Sequence, residues 1–416
     1  MLVLYSLALL LVLVVGSPYW LFRMLASGKY REGLSERLGF VPRRLRGAGG
    51  VIWVHAVSVG EVLAASRLIE QLGAQSGRTV MVSTTTRTGQ RLARERFGAD
   101  CVFYFPLDFA FAVRSYLRAL HPHMLVLLET EFWPRMLVEC RRAGVPVAVV
   151  NARISDRSWP RYLRLRITWS RLLGGLALAL AQSDPDAERL RALGARNVRV
   201  GGNLKYDIRV ARPAAIIEVL RSQLSPKVKV VVCGSTLAGD EELIAESLPA
   251  DAITILAPRH PERFDSVVAM LDARGLRYTR RSQWMAAPQP LHAGTFFLLD
   301  SIGELASVYS LGSLVIIGGG FFQPGGHNPL EPAQYGLPIV MGPHYENFRE
   351  IVEKLRASNA VVIVEPSTLP RAIRNLLDDD AAAKAMGARA RAVFESEAGA
   401  TERAVTALLA LLKDRA

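Results

Sequence analysis

"VIWVHAVSVGEV", residues 51–62, runs from a short apolar segment into a glycine and then a lone carboxylate, Glu61. Val51 to Val54 has the length and β-branched content of a buried strand. From Val62 to Gln75 the apolar residues recur at helical spacing. A strand that enters a helix through a tight polar turn is the unit from which parallel sheets are wound. The acid in that turn has two readings. The first turn of a helix favours a negative charge through its dipole. Strand carboxyl ends are also where α/β proteins carry their reactive groups.

The same alternation recurs along the chain. Apolar runs lie at Val80–Ser83, Val102–Phe105, Met124–Leu128, Val147–Val150 and Leu176–Ala181, with helical stretches such as Pro134–Ala143 between them. Their hydrophobicity is continuous rather than alternating, which predicts strands covered on both faces, hence a parallel doubly wound sheet. "GGNLKYDIRVARPA", residues 201–214, interrupts the series and reads as an interdomain connection. A second series follows at Val228–Cys233, Ile253–Ala257, Thr295–Leu299, Leu314–Ile317, Pro338–Met341 and Ala360–Val364. The expectation is an α/β chain of two Rossmann-like domains facing a central cleft. Its parts are an apolar anchor (1–22), a basic juxtamembrane segment (23–49), a first domain (50–202) and a linker (203–214). A second domain (215–398) and a closing helix (399–416) complete it, the helix amphipathic over Thr401–Leu412 and its docking site not legible.

With 416 residues, 50% hydrophobic and 21% charged, the chain is too apolar for disorder and long enough for two cores. Cys101, Cys140 and Cys233 are odd in number and far apart, which argues against a disulfide scaffold or a zinc site. The formal charge of +13 points to polyanions. No aromatic-interleaved basic motif accompanies it, so an anionic membrane face is preferred to nucleic acid. Met1 to Phe22 carries no charge, and a helix of that length at ~1.5 Å per residue just crosses a bilayer. Arg23, Lys29, Arg31, Arg37, Arg43, Arg44 and Arg46 follow it, against Glu32 and Glu36. By the positive-inside rule this is an uncleaved single-pass anchor with a cytoplasmic body. A cleaved signal peptide would show a basic start and an A-x-A site, and neither is present.

The densest chemical signal in the second half is "IIGGGFFQPGGHNPLEPAQYG", residues 316–336. A strand ends in glycines, a loop containing Gly325 and Gly326 follows, and "HNPLEP" opens a helix. Close backbone approach and free N–H groups at a helix start suit phosphate, and Glu331 suits ribose hydroxyls. A glycine-rich turn with Asn328 as N-cap accounts equally well for the spacing. "APRHPER", residues 257–263, ends another strand and presents Arg259 and His260. "CGST", residues 233–236, supplies a third tip with Ser235. Three such tips in one domain favour a nucleotide site. In the first half, "LLETEFWPR", residues 127–135, ends a strand in two carboxylates, one expected beside Glu61 and the other structural. Phe132 and Trp133 read as packing, and "STTTRTG", residues 83–89, as a helix cap. His121-Pro-His123 reads as a solvated turn and Asp378–Asp380 as a cap. No acidic metal site is evident, so the expected chemistry needs neither metal nor cofactor.

Taken in order, "WVHAVSVGE", "LLETEFWP", "VNARIS", "GNLKYD", "APRHPER", "GGGFFQPGGHNPLEP" and the N-terminal apolar segment resemble the 3-deoxy-D-manno-octulosonic acid (Kdo) transferases of lipid A biosynthesis, of the GT-B fold. That resemblance implies inverting transfer of Kdo from CMP-Kdo to the lipid A precursor, lipid IVA, at the cytoplasmic face of the inner membrane. It makes Glu61 the catalytic base and gives Glu129 and Lys205 transition-state roles. It places CMP contacts at Pro258 and Arg259, at Ile302, Gly303 and Glu304, and at Asn328 and Glu331. "RSWPRYLRLRITWSR", residues 157–171, is the candidate contact with anionic lipid, an amphipathic helix packed on the first sheet being the alternative. Rival functions are a GT-B enzyme using a UDP- or ADP-sugar and a membrane-tethered nucleotide-binding protein without turnover.

Overall fold

The computed structural model describes residues 2–27, 31–47, 49–209 and 214–413. Lys29 of the basic segment and residues 210–213 of the expected linker lie outside the described residues. The chain forms two compact units, residues 1–208 with 398–416, and residues 209–397. It therefore passes from one to the other after Ile208, and its last helix belongs to the first.

In the first unit seven strands form one sheet: β1 (Ile52–His55), β2 (Val80–Thr84), β3 (Val102–Tyr104), β4 (Met124–Leu128), β5 (Val147–Ala152), β6 (Leu178–Ala181) and β7 (Val198–Val200). Their order is β3-β2-β1-β4-β5-β6-β7 and every pairing is parallel. Side chains alternate across the sheet as the pleat requires. Trp53, Leu125 and Leu127 enter one core with Phe103, Tyr116 and Met136, while Ile52, Val54 and Val126 enter the other with Leu68 and Leu72. Continuous apolar runs are thus read correctly as strands buried on both faces.

The helices that matter below are α1 (Leu2–Ser27), α2 (Val59–Ser76), α3 (Ala110–Leu120), α4 (Pro134–Arg142), α5 (Trp159–Arg164), α6 (Arg166–Leu173), α7 (Asp240–Ser247), α8 (Leu330–Ala333) and α9 (Ala400–Lys413). α1 contains Pro18 and is long and apolar enough to cross a membrane. α9 docks on the first unit: Ala404, Val405 and Leu408 share the core of Leu68 and Leu72 on α2. Its start is held by Asp207, whose carboxylate accepts from the N–H groups of Gly399 (2.6 Å) and Thr401 (2.5 Å).

The second unit is also one parallel seven-stranded sheet, of β8 (Lys229–Thr236), β9 (Ala252–Pro258), β10 (Tyr278–Arg280), β11 (Phe296–Leu298), β12 (Leu314–Ile317), β13 (Ile339–Met341) and β14 (Val362–Ile363). The order is β10-β11-β9-β8-β12-β13-β14. Six strands were legible in each half, and the structure adds β7 and β10. Both are edge strands containing an arginine, so neither presents an unbroken apolar run. A further difference concerns "HNPLEP": the helix it opens, α8, is a single turn of four residues, too short to supply a helix-dipole anion site.

Candidate active site

Glu61 is the third residue of α2. Ser58 caps that helix by accepting from the Glu61 N–H (3.5 Å), and the Glu61 carboxylate folds back to accept from Val57 N–H (2.8 Å) and Ser58 Oγ–H (3.0 Å). This is close to a reciprocal capping box, so the structural reading of the acid holds alongside the chemical one. The electrostatics separate the two. Burial, with Glu129 and Glu131 nearby, raises the Glu61 carboxyl from 4.5 to about 7 in spite of the two hydrogen bonds that favour its ionised form. A capping carboxylate at a solvated helix end has no such shift.

Glu129 and Glu131 both lie beyond β4, which ends at Leu128, so no strand face orients them. Glu129 instead takes φ of +54°, a left-handed conformation that non-glycine residues seldom adopt, while its N–H continues the ladder to Val150 O (3.0 Å). Such strain collects at functional sites. Glu131 accepts from Trp133 Nε1 (2.8 Å), which fits a structural role for the second acid. Phe132 packs between Tyr162 and Trp169, and Trp133 lies against Phe105. At the end of β1, His55 is fully buried and stacked on Phe105, and burial lowers its imidazole to about 3, so it is a neutral core residue.

Lys205 sits on a 3₁₀ turn, Leu204–Asp207, after β7. Asn203 Oδ1 accepts from Lys205 N–H (3.0 Å), Asn151 Oδ1 accepts from Leu204 N–H (3.0 Å), and Gln182 links the two asparagines. The turn packs on α2, the helix whose first turn carries Glu61. The tips of β1, β4, β5 and β7 thereby place Glu61, Glu129 and Lys205 along the carboxyl edge of one sheet.

In the second unit the expected donor residues fall at the carboxyl ends of four adjacent strands, β11, β9, β8 and β12. Ser235 sits in β8 with φ of +57°. Pro258 ends β9, and the Arg259 N–H is anchored on Thr236 O (2.9 Å) while its side chain and that of His260 are exposed. Ile302 is exposed and Gly303 has open space about it, whereas the Glu304 carboxylate is engaged by Arg281 (2.5 Å) and by Ser301. Gly325 donates to Glu346 (2.7 Å) and Gly326 to Gly319 O (3.1 Å). Asn328 accepts from Leu330 N–H (3.1 Å) and donates to Glu331 (3.3 Å), whose carboxyl is raised by burial.

Three residues not singled out from the sequence complete this edge. His327 fills the space above Gly319, where a Cβ would lie 2.4 Å from its ring, and its buried Nε2 has no partner. Burial, then the charges of Arg259 and His260, lower it to about 4, which places three basic side chains within electrostatic reach of one another. Asp240 and Glu241, the first residues of α7, tie the tips together. Asp240 Oδ2 accepts from Leu237 N–H (2.9 Å) and Gly319 N–H (2.6 Å), and Glu241 accepts from Thr236 Oγ1–H (2.9 Å) and Arg263 (2.8 Å). The three acids right after "CGSTLAG", Asp240 to Glu242, were the available signal.

The arginine-rich stretch 157–171 is two helices, α5 and α6, broken at Leu165. Its Tyr162 and Trp169 pack on Phe132, and Trp159 lies under Arg189. Leu163, Leu165 and Ile167 remain exposed among Arg161, Arg164 and Arg166. Elsewhere the plainer readings hold: Thr86 caps a helix by accepting from Gly89 N–H (3.1 Å), and Asp379 caps another through Ala382 N–H (2.9 Å).

A family model described as 3-deoxy-D-manno-octulosonic-acid transferase (kdotransferase) matches residues 32–208. The 3-deoxy-D-manno-octulosonic acid transferase of Haemophilus influenzae is 32% identical over 401 residues, 93% of this chain and 92% of that protein. That of Bordetella pertussis is 34% identical over 394 residues, 89% of this chain and 91% of that protein. Among solved structures, MurG of Acinetobacter baumannii is similar in fold, with a TM-score of 0.55 at 15% identity over 87% of this chain and 99% of that one.

Proposed function

The chain belongs to the 3-deoxy-D-manno-octulosonic acid (Kdo) transferase family, a family of glycosyltransferases, and from this we propose that it moves Kdo from CMP-Kdo to the lipid A precursor, lipid IVA, with inversion and without a metal ion. Membrane attachment through the N-terminal helix and anionic inner-membrane lipids, with the body on the cytoplasmic face, is part of the same proposal.

The observation that carries it is the Glu61 carboxyl at about 7, set in a first helical turn beside two further acids. A general base works best when its pKa lies near the operating pH. In the reaction the acceptor hydroxyl attacks the anomeric carbon while Glu61 takes its proton. The bond from that carbon to the phosphate oxygen breaks, and its electron pair leaves with CMP. Glu129 supplies a negative charge to the oxocarbenium-like transition state, and Lys205 offsets developing negative charge. On the second unit, Arg259 screens the phosphate, His260 and the neutral His327 stand beside it as hydrogen-bond donors, and Glu331 and the 302–304 tip hold the nucleoside.

The deciding experiment incubates the purified protein with CMP-Kdo and the lipid acceptor and weighs the product. Acceptor mass rising by whole Kdo units, with CMP released and EDTA without effect, is the expected result. Turnover of a UDP- or ADP-sugar instead, or nucleotide binding without product, overturns it.

A further inference from the structure

α1 is apolar over most of its surface, with Ser6, Ser17 and Arg23 among the exceptions, and its exposure is one-sided. Leu2, Tyr5, Leu9, Leu13, Gly16 and Trp20 are half-buried, and at 3.6 residues per turn they fall within one third of the helix circumference. The remainder is open: Leu4, Leu7, Leu11, Val15 and Phe22 are 56–71% exposed. The shielded side carries polar contacts with the first unit. Tyr5 Oη–H donates to Asp108 (2.9 Å), and Arg135 donates to Ser6 Oγ (2.7 Å) and Leu2 O (3.2 Å). Asp108 in turn accepts from the N–H groups of Arg135 (2.8 Å) and Met136 (2.7 Å), so these partners belong to the start of α4.

The other end of α1 is tied to the same unit. The segment that follows places Glu36 as acceptor for Tyr104 N–H (2.7 Å) at the end of β3, and Arg37 O accepts from Leu107 N–H (2.7 Å). A helix that crosses a bilayer leaves its globular body at one end only. Its far end then lies ~30 Å away, across the hydrocarbon core. For α1 to cross and keep Tyr5 on Asp108, the charged start of α4 would have to enter the hydrocarbon, at about 2.5–3.5 kcal/mol for each charged group.

We propose that α1 lies in the plane of the membrane surface, one side seated on the first unit and the other in the acyl-chain layer, rather than spanning the bilayer. The body replaces the polar face that an ordinary interfacial helix carries on itself. The occupant of the open face is the acyl region of an anionic leaflet. The exposed Leu163, Leu165 and Ile167, set among arginines on α5 and α6, suit the same surface in hydrophobicity and charge. Both α1 and α6 flank the loop from Glu129 to Arg135: Phe132 contacts Trp169, and Arg135 contacts Ser6. A lipid lying beside α1 would have its head group at the acid-bearing edge without leaving the leaflet. The inference rests on membrane attachment and not on the sugar chemistry, so failure of Kdo transfer leaves it standing.

The test places a short epitope tag ahead of Met1 in the full chain and exposes spheroplasts and inverted inner-membrane vesicles to protease. In-plane placement keeps the tag intact in spheroplasts and loses it in inverted vesicles. Digestion in spheroplasts overturns the proposal. A second measurement joins Ser6→Cys to Arg135→Cys with a short bis-maleimide in native membranes, Cys101 being replaced by Ser. An intramolecular cross-link found by mass spectrometry supports the contact, and its absence with both cysteines singly reactive overturns it.

Discussion

Glu61 serves both as a helix cap and as the proposed base, and its two roles can be pulled apart by substitution. Glu61→Gln preserves an acceptor for Val57 N–H and a partner for Ser58, so the cap survives while the base is lost. Transfer is expected to fall about 10²–10⁴-fold, with CMP binding retained and the wild-type rate increase through pH about 7 abolished. A raised carboxyl binds its proton more tightly in the folded than in the unfolded chain, so the native state loses stability as pH climbs from 4.5 to about 7. Thermal scans should therefore find the Gln variant at least as stable as wild type at pH 8, with the difference closing below pH 4.5. Asp240 makes a contrasting case, since it touches only backbone. Asp240→Ala leaves the buried N–H of Gly319 without an acceptor, at about 1–3 kcal/mol, and the half-buried N–H of Leu237 at less, and should weaken CMP binding as the tips loosen. Asp240→Asn retains an acceptor oxygen and should lose much less. Equal damage from both substitutions, measured by denaturation and CMP titration, would remove Asp240 from the role of tying the tips. From sequence, Glu61 was visible because its motif is local, while Asp240 and His327 needed the strand tips to be brought side by side.

At the level of elements, continuous apolar runs announced twelve of the fourteen strands among the described residues, since parallel strands buried on both faces have no polar side to interrupt them. The two that escaped, β7 and β10, lie at sheet edges, where half-exposed positions accept arginine. The closing helix shows the other limit. Its amphipathic pattern was plain over Thr401–Leu412, but nothing local says that it returns to the first unit. That return hangs on Asp207 and on the apolar side of α2. Asp207→Ala should cost about 1–2 kcal/mol through loss of the cap and speed amide exchange over 400–413. Leu408→Ala, at a fully buried position, should cost about 2–5 kcal/mol. Unchanged exchange in α9 after both substitutions would show that it is held by something else.

Over the whole molecule, the charge of +13 and the apolar N-terminus act at different ranges. Arginines attract an anionic surface through a field that salt screens within ~10 Å at 0.1 M, whereas apolar contact is insensitive to salt. A chain lacking residues 1–27 is expected to bind anionic vesicles at low salt and to leave them as salt rises, while the full chain stays bound. Salt-independent binding of the shortened chain would put the attachment elsewhere. Composition and run lengths were enough to determine two parallel α/β units and an apolar N-terminal segment. Those properties follow from hydrophobic periodicity and turn residues, which act over a few positions along the chain. Only the tertiary structure decided that both Glu129 and Glu131 come near Glu61, that α7 joins the strand tips of the second unit, that α9 closes the first unit, and that α1 has a body-facing side. Each of these depends on residues far apart in sequence meeting where water is excluded, and desolvation and pairing across such distances leave no periodic trace in the order of residues.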